Sequence, residues 1–566
     1  MNETMMAATA GPRSGGRILV DQLGIHGVDM AFCVPGESYL PVLDALYDAR
    51  DAIRLITCRH EGGAANMAEA YGKLTGKPGI CLVTRGPGAT NASIGVHTAF
   101  QDSTPMILFI GQVGGDFVER EAFQEVDYRR MYGQLAKWVA QIDRADRIPE
   151  YLARAFQVAT SGRMGPVVLA LPEDMLSDMV SVADARPYQH GQDIGPSAGE
   201  PALARLASLL SGAERPFVIV GGSGWSKESC TALQRFAETQ NLPIGCAFRF
   251  QDVFDNAHPN YAGDVGIGIN PKLAARIKAA DVVLCLGARL GEMTTSGYTL
   301  FEAPVPKQKL IHVHAGAEEL GRVYQGELLI NATVSSFANA IAALPKLTHS
   351  NVAAQVQSAN ADYREWQQRR EIPGAVQMWD VMQQIKSGVP ADAIITNGAG
   401  NYATWVHRFH QYCGFRTQLA PTSGAMGYGV PAAIAAKAVH PQRTVICMAG
   451  DGCFLMTGQE LATAVQYRLN VIFIVVNNGM YGTIRMHQER HYPGHVHGTA
   501  LANPDFAAYA RSFGAHGETV EKTADFAPAL ARALAAGKPA LIEVRIDPEA
   551  ITPNTTLQAI RDTAMK

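Results

Sequence analysis

The chain has 566 residues, of which 47% are hydrophobic and 18% charged, with a formal net charge of -4. This is the composition of a soluble globular protein of roughly three to four domains, and it argues against a nucleic-acid or membrane partner. The apolar runs fall far short of the ~18 residues that span a bilayer, and the nine cysteines form no Cys-x-x-Cys pair, which argues against a zinc site or a disulfide framework. The first 16 residues lack a basic start followed by an apolar core, so we expect a cytoplasmic location.

Short β-rich runs alternate with helical segments along the chain, from Gly79–Val83 to Leu541–Val544. Continuous apolar strands between helices predict parallel sheets that are covered on both faces. Two polar breaks, at residues 186–200 and 346–375, divide the chain. We therefore predict three doubly wound α/β domains, at residues 15–185, 198–348 and 376–552.

The first predicted domain carries an acid at the start of a helix. Glu61 follows Arg59 and His60 and is succeeded by small residues, which would let another surface approach closely. Taken alone, Glu61 is most simply an acid that the helix dipole favours in the first turn. After the next strand comes Thr84-Arg85-Gly86-Pro87-Gly88, and further on Ala122-Phe123-Gln124-Glu125.

In the third predicted domain, a strand over Thr444–Met448 ends in Gly450-Asp451-Gly452. We predict that an amphipathic helix follows, with Leu461, Ala464, Val465 and Leu469 on one face. A second strand, over Val471–Val476, ends in Asn477-Asn478. A right-handed crossover brings the two strand ends side by side. Two oxygen ligands, a backbone carbonyl and a helix N-terminus would then converge, which suits a hard cation and a diphosphate.

Together these motifs resemble the thiamine-diphosphate (ThDP) enzymes, and most closely the acetohydroxyacid synthase (acetolactate synthase) large subunits, over nearly the whole chain past residue 15. The resemblance implies that the first domain binds the aminopyrimidine of ThDP through Glu61 and that the third binds the diphosphate. It implies Mg2+ ligands at Asp451, Asn478 and the carbonyl of Met480. It also implies cofactor contacts at Gly400, Asn401, Tyr402, Gly424, Met426, Gly450, Gly452, Cys453, Asn478, Met480 and Tyr481.

In that family the two halves of the cofactor sit on different subunits, so the resemblance implies a homodimer with active sites at the subunit interface and, beyond it, a homotetramer. The central domain of the synthases holds FAD in a structural role. Here Val220-Gly221-Gly222-Ser223-Gly224 does not form a Gly-x-Gly-x-x-Gly fingerprint. The sequence therefore leaves FAD open and does not favour it.

The choice of reaction depends on positions near the reacting carbon. Where pyruvate decarboxylases carry a Glu, this chain has Ile484, and Gln124 matches the synthase Gln that reaches toward that carbon. His487 stands where the synthases carry a Trp that selects 2-ketobutyrate, and it begins a His-rich segment that reads as a polar lid. Glu37 falls where decarboxylases place an Asp.

These comparisons predict an acetolactate synthase-like carboligase, a transferase or lyase that decarboxylates pyruvate or a related 2-keto acid and ligates the product to a second carbonyl. We assign catalytic roles to Glu61, Gln124, Glu37 and His487. The alternatives are a non-oxidative 2-keto acid decarboxylase and a benzaldehyde lyase-like C–C lyase. A regulatory relative without activity is a further alternative, against which the presence of Glu61 and Asp451 argues.

Overall fold

The computed structural model describes residues 11–191, 193–347 and 352–566. Residues 1–10, on which the predicted location partly depends, and the predicted domain end at residue 348 lie outside the described residues. Within these ranges no helix is long and apolar enough to cross a membrane. The cytoplasmic location stays a prediction. The chain forms two compact units, which divide between Ile194 and Gly195.

The first unit is built around one parallel sheet. The strands of the unit are β1 (Arg13–Ser14), β2 (Met30–Cys33), β3 (Arg54–Thr57), β4 (Gly79–Val83), β5 (Met106–Gln112), β6 (Trp138–Gln141), β7 (Pro166–Pro172) and β8 (Met179–Val180). Its helices are α1 (Gly15–Ile25), α2 (Leu40–Asp48), α3 (Glu61–Thr75), α4 (Gly86–Asp102), α5 (Tyr128–Tyr132), α6 (Ile148–Thr160) and α7 (Glu173–Ser177).

Six of these strands form the sheet in the order β3-β2-β4-β5-β7-β6, while β1 and β8 make a separate antiparallel pair. The inner strands β4, β5 and β7 are buried along their whole length, because helices cover both faces. Helix α3 begins at Glu61, where the His60 ring accepts a hydrogen bond from the amide of Gly62. It ends at Thr75, and the following Gly76 takes the left-handed conformation (φ 77°) common after helix ends.

The second unit begins with a central sheet. Its strands are β9 (Pro216–Val220), β10 (Ile244–Ala247), β11 (Tyr261–Val265), β12 (Val282–Leu286), β13 (Lys309–His314) and β14 (Leu328–Asn331). Its helices are α8 (Glu200–Ser211), α9 (Lys227–Gln240), α10 (Pro271–Ala279), α11 (Val334–Ala342) and α12 (Val352–Trp366). The strands are parallel in the order β11-β10-β9-β12-β13-β14.

The same unit contains a third sheet. Its strands are β15 (Ile394–Asn397), β16 (Gln418–Leu419), β17 (Val445–Gly450), β18 (Ile472–Asn477), β19 (His516–Val520) and β20 (Ala540–Arg545). Its helices are α13 (Met378–Gly388), α14 (Ala403–Phe409), α15 (Gly429–Val439), α16 (Asp451–Leu455), α17 (Leu461–Gln466), α18 (Gly482–His491), α19 (Phe506–Ser512), α20 (Thr523–Ala535) and α21 (Leu557–Ala564). The parallel strand order is β16-β15-β17-β18-β20-β19.

A polar segment of the central part joins the third sheet at its edge. The Asp252 carboxylate accepts hydrogen bonds from the amides of Thr417 (3.0 Å) and Gln418 (3.2 Å). Gln251 and Gln418 bond to each other, through the Gln251 amide (2.8 Å) and through their side chains (3.0 Å). These buried bonds explain why the two sheets belong to one compact unit.

The predicted fold class is confirmed, since all three main sheets have six parallel strands. The predicted domain limits stay a prediction. The predicted helix with Leu461 to Leu469 on one face is wrong in length, because α17 ends at Gln466. Arg468 takes a positive φ of 54°, and the Leu469 amide turns back to the carbonyl of Ala464. Leu469 is nevertheless buried, just beyond the helix.

Candidate active site

A cavity of about 250 Å3 opens at the carboxyl edge of the third sheet. Its walls come from the segments that follow β15, β16, β17, β18 and β20, which meet at this edge because the strands are parallel. Every residue that the sequence assigned to the diphosphate and metal side of ThDP lies in this wall: Gly400, Asn401, Tyr402, Gly424, Met426, Gly450, Asp451, Gly452, Cys453, Asn478, Met480 and Tyr481. Sequence positions spread over some eighty residues are thus brought together.

Asp451 is the one acid among the described residues of this wall, and 3% of its surface is exposed. It is the first residue of α16, and its Oδ1 accepts a hydrogen bond from the amide of Gly452 (2.9 Å). Its Oδ2 accepts from the amide of Gly479 (2.9 Å) and from the side chain of Asn503 (2.7 Å). Burial raises the pKa of Asp451, and these hydrogen bonds oppose the rise.

The segment after β18 is folded tightly beside Asp451. The Asn477 side chain donates to Glu543 (2.7 Å), and its oxygen accepts from the Gly479 amide (3.0 Å). The Asn478 side-chain oxygen accepts a longer bond from the Met480 amide (3.3 Å). Asp451 and Asn478, which follow neighbouring strands, both line the cavity.

Two glycines of the wall leave room that a side chain would fill. A Cβ on Gly452 would lie 2.6 Å from the Tyr481 ring, closer than carbon atoms approach. Gly400 has a φ of 143°, which other residues rarely adopt. Both positions keep backbone exposed to the cavity, as contact with a phosphate group requires.

Cys453 is held by a chain of hydrogen bonds on the same wall. The amide of Gly398 donates to the Tyr402 hydroxyl (2.9 Å), and the amide of Gly427 donates to the Cys453 sulfur (3.2 Å). The Tyr402 hydroxyl lies 3.3 Å from that sulfur. Because the hydroxyl oxygen already accepts from Gly398, its hydrogen is free to bond the sulfur.

The donor set suits a hard divalent cation. Among the ion pairs of the described residues, none includes Asp451, although an isolated buried charge is costly. The described ranges also contain no group of three His, Cys, Asp or Glu side chains that could hold a metal. A cation here would therefore take one carboxylate together with amide and carbonyl oxygens, which is the chemistry of Mg2+ rather than of zinc.

Helix α18 closes one side of the cavity. Gly482, Thr483 and Ile484 line it, and 56% of the Ile484 surface remains exposed. On the other face of α18, the fully buried Glu489 accepts hydrogen bonds from Arg485. It also accepts two from Arg561 of the C-terminal helix α21, at 2.8 and 2.5 Å. This contact fixes the helix that carries Ile484.

His487 lies outside the cavity wall, on the exposed side of α18. Its ring stacks on that of His491, with centroids 6.1 Å apart and planes 6° from parallel. Partial burial and the nearby Arg490 and His491 lower the pKa of His487. The first half of the predicted polar lid is thus a regular helix.

The remaining predicted catalytic residues belong to the first unit. Glu61 accepts a hydrogen bond from the side chain of Asn91 (2.9 Å). Gln124 has a positive φ of 65°, and its carbonyl accepts from the amide of Gly86 (3.1 Å), at the start of α4. Glu37 is 69% exposed at its side chain and pairs with the buried Arg85 (3.0 Å).

Three contacts around these residues escaped the sequence reasoning. Asn503 bonds to Asp451 from 52 positions away, and Arg561 bonds to Glu489 from 72 positions away. Arg85 pairs with Glu37 across two strands of the first sheet. Local spacing marks none of these three contacts, whereas it does mark the neighbouring pair of Arg485 and Glu489, four residues apart on a helix.

Comparisons with known proteins agree with this geometry. Family models described as the N-terminal TPP binding domain, central domain and C-terminal TPP binding domain of thiamine pyrophosphate enzymes match residues 13–131, 203–341 and 398–544. The chain is 32% identical to the acetolactate synthase large subunit of Parasynechococcus marenigrum, over 94% of this chain and 87% of the relative. It is 29% identical to the acetolactate synthase isozyme 2 large subunit of Escherichia coli, over 94% and 96%. A probable acetolactate synthase large subunit of Methanocaldococcus jannaschii is 29% identical, over 95% and 93%.

Proposed function

The chain belongs to the family of thiamine pyrophosphate (ThDP) enzymes that includes the acetolactate synthase large subunits, and on this basis we propose that it is a ThDP- and Mg2+-dependent carboligase of 2-keto acids. Pyruvate or a related 2-keto acid is decarboxylated, and the remaining carbon unit is joined to a second carbonyl compound. One observation carries the proposal: the residues assigned to the diphosphate and metal side line a single cavity around a buried carboxylate.

Asp451, Asn478 and the Met480 carbonyl would hold Mg2+. The buried carboxylate attracts the cation, and the two neutral oxygens complete a set that hard cations prefer. Gly450, Gly452, Cys453 and Tyr481 would contact the diphosphate beside it. The α16 N-terminus adds little by itself, since that helix has five residues.

Glu61 would hold the aminopyrimidine nitrogen of the cofactor and share a proton with it. When bound, ThDP supplies the carbon nucleophile and stores the electrons released by decarboxylation. The Asn91 amide fixes the Glu61 carboxylate at Oε2, which leaves Oε1 available for that nitrogen. Gln124, Glu37 and His487 complete the proposed catalytic set, and His487 would act from outside the cavity wall.

Ile484 is the observation that favours carboligation over simple decarboxylation. It lines the cavity where related decarboxylases carry an acid, and an alkyl side chain donates no proton. Without a proton donor there, release of an aldehyde is slow and a second carbonyl compound has time to react. Its exposed surface leaves space for that second substrate.

The first experiment is incubation of the purified protein with ThDP, Mg2+ and pyruvate, with the products resolved by mass. Acetolactate would support the proposal. Acetaldehyde alone would replace it with the decarboxylase, and an unconsumed substrate would exclude pyruvate as the donor and direct the search to bulkier 2-keto acids. Glu61→Gln should keep ThDP binding and lose turnover by orders of magnitude, whereas Asp451→Ala should lose metal-dependent ThDP retention.

We also propose a homodimer with shared active sites, assembled further into a homotetramer. Exposed apolar side chains in the first unit, such as Leu40, Ile94 and Phe123, support a covered surface there. Mixing Glu61→Gln with Asp451→Ala chains tests the sharing, because a mixed dimer would contain one site with both residues intact. Recovery of activity on mixing is the expected result. If the mixture stays inactive although the two variants are shown to exchange subunits, each site is built from one chain.

A further inference from the structure

We propose that Asn503 is a positioning residue of the cation site, which holds Asp451 so that its Oδ1 faces the metal. The inference rests on the proposed function, because it concerns how the Mg2+ ligand is oriented. Asn503 follows β18 by 26 positions, in a segment that no motif singled out.

The hydrogen bonds on Asp451 are distributed unequally between its two oxygens. Oδ2 accepts from the Asn503 side chain (2.7 Å) and from the Gly479 amide (2.9 Å). Oδ1 accepts from the Gly452 amide (2.9 Å), and the Met480 amide also acts on the carboxyl. Each carboxylate oxygen has about two lone-pair directions, so the two short bonds on Oδ2 occupy that oxygen more fully than Oδ1. We therefore assign the metal to Oδ1.

Asn503 also joins the two strand ends that carry the proposed ligands. Its amide nitrogen donates to Asp451, just after β17, and to the side-chain oxygen of Asn477 at the end of β18 (3.0 Å). One side chain thus fixes the distance between the two halves of the site. Loss of this amide would let both oxygen atoms turn.

The segment that carries Asn503 is itself tied to the ligand loop. The Tyr481 amide donates to the Thr499 carbonyl (2.9 Å), and the Leu501 amide donates to the Gly479 carbonyl (2.8 Å). Met480 and Ala500 form the bridge between these two bonds. The loop that offers the Met480 carbonyl and the loop that offers Asn503 are therefore one rigid arrangement.

The chemistry of the side chain suits this task. A primary amide donates hydrogen bonds without bringing a positive charge, so the carboxylate keeps its full attraction for a cation. A Lys or Arg in its place would neutralise Asp451 and compete with the metal. Groups that orient a metal ligand in this way typically contribute tenfold to hundredfold in metal affinity.

The test measures Mg2+ affinity by the concentration needed for half-maximal ThDP retention, followed through the fluorescence of Trp405, which lines the cavity. Asn503→Ala and the similarly sized Asn503→Leu should raise that concentration by about tenfold to a hundredfold. Turnover at saturating Mg2+ should recover toward that of the wild type, because the ligands themselves are intact.

Asp505→Ala is the matched control in the same loop. Asp505 caps α19 by accepting from the Ala508 amide (2.8 Å), so its loss weakens the loop without touching Asp451. It should lower the unfolding temperature and leave the half-saturating Mg2+ concentration unchanged. An equal rise in Asp505→Ala, or no rise in either Asn503 variant, would overturn the positioning role while ThDP retention by the wild type still supports the proposed function. A wild-type chain that retains no ThDP at any Mg2+ concentration would overturn both.

Discussion

Replacing Glu489 with Gln changes how the helix beside the cavity is held. Glu489 is fully buried between α18 and α21 and bonds to Arg485 and Arg561, while its Oε2 also accepts from the Gly494 amide (3.0 Å). Gln keeps the volume and one oxygen, but it removes the charge that both guanidinium groups face. Arg485 and Arg561 would then repel each other across a neutral amide.

The size of the effect follows from what happens to the two arginines. Removing one partner of a buried ion pair costs about 3–5 kcal/mol when the other charge stays buried. The Arg485 side chain is 12% exposed and stays in place, whereas that of Arg561 is 27% exposed and can turn to water. We therefore expect the lower end, about 3 kcal/mol, which corresponds to roughly a hundredfold change in a local opening equilibrium.

Hydrogen exchange followed by mass spectrometry measures this opening directly. In Glu489→Gln, the amides of α18 and α21 should lose roughly a hundredfold in protection, while the central sheet stays as in the wild type. Glu521→Gln is the control, because it removes an exposed pair with Arg545 (2.7 Å) that contributes at most about 1 kcal/mol. Equal protection of α18 in Glu489→Gln and Glu521→Gln would refute the reasoning.

Three further predictions concern the pH dependence of Glu489, the close packing at Gly452 and the charge of Glu37. The hydrogen bonds from Arg561 lower the pKa of Glu489 to about 2, so its contribution to stability is complete above the ordinary value of 4.5 and is lost as pH falls from there toward 2. Exchange from α18, corrected for the intrinsic rate, should rise over that interval in the wild type and change little in Glu489→Gln; parallel curves would contradict this. Gly452→Ala should displace the Tyr481 ring and abolish ThDP retention. The control is Gly24→Ala, in open space on α1, which should retain ThDP and gain roughly 0.5–1 kcal/mol in stability. Retention of ThDP by Gly452→Ala would contradict the close packing of Gly452 against Tyr481. Glu37→Gln should lower turnover while the free energy of unfolding stays within about 1 kcal/mol, because the Glu37 side chain is exposed and the buried Arg85 keeps a second carboxylate, that of Glu173, 3.9 Å away; unchanged turnover would remove Glu37 from the catalytic set.

Local patterns were sufficient to predict the sheets, whereas most residues of the cavity wall were assigned through the resemblance to ThDP enzymes. The apolar run Gly79–Val83 matches strand β4 with the same limits, because buried parallel strands are apolar throughout. Strand β17 ends at Gly450 and Gly400 follows β15, and parallel strands bring such ends to one edge. Strand order therefore explains why the residues that the resemblance assigned to the cofactor meet in one cavity.

Contacts between side chains that are distant in sequence were beyond those patterns. Nothing local marks Asn503 as the partner of Asp451, since the bond depends on how the segment after α18 folds back. The early end of α17 depends on the positive φ of Arg468, a conformation that an arginine rarely adopts and that sequence does not signal. Glu37 reads as a solvated acid, and only the fold shows the buried guanidinium beside it.

The hydrogen bonds that the amides of Thr417 and Gln418 donate to Asp252 also protect the third sheet from aggregation. The short strand β16 is the outermost on its side, and an uncovered edge offers unpaired backbone groups to any passing strand. The segment at 251–252 occupies those groups with side chains that cannot propagate a sheet. A fragment that begins at the polar break near residue 375 would lack the segment at 251–252. It would therefore expose the unpaired backbone groups of β16 and be prone to aggregate, although its core and its cavity were complete.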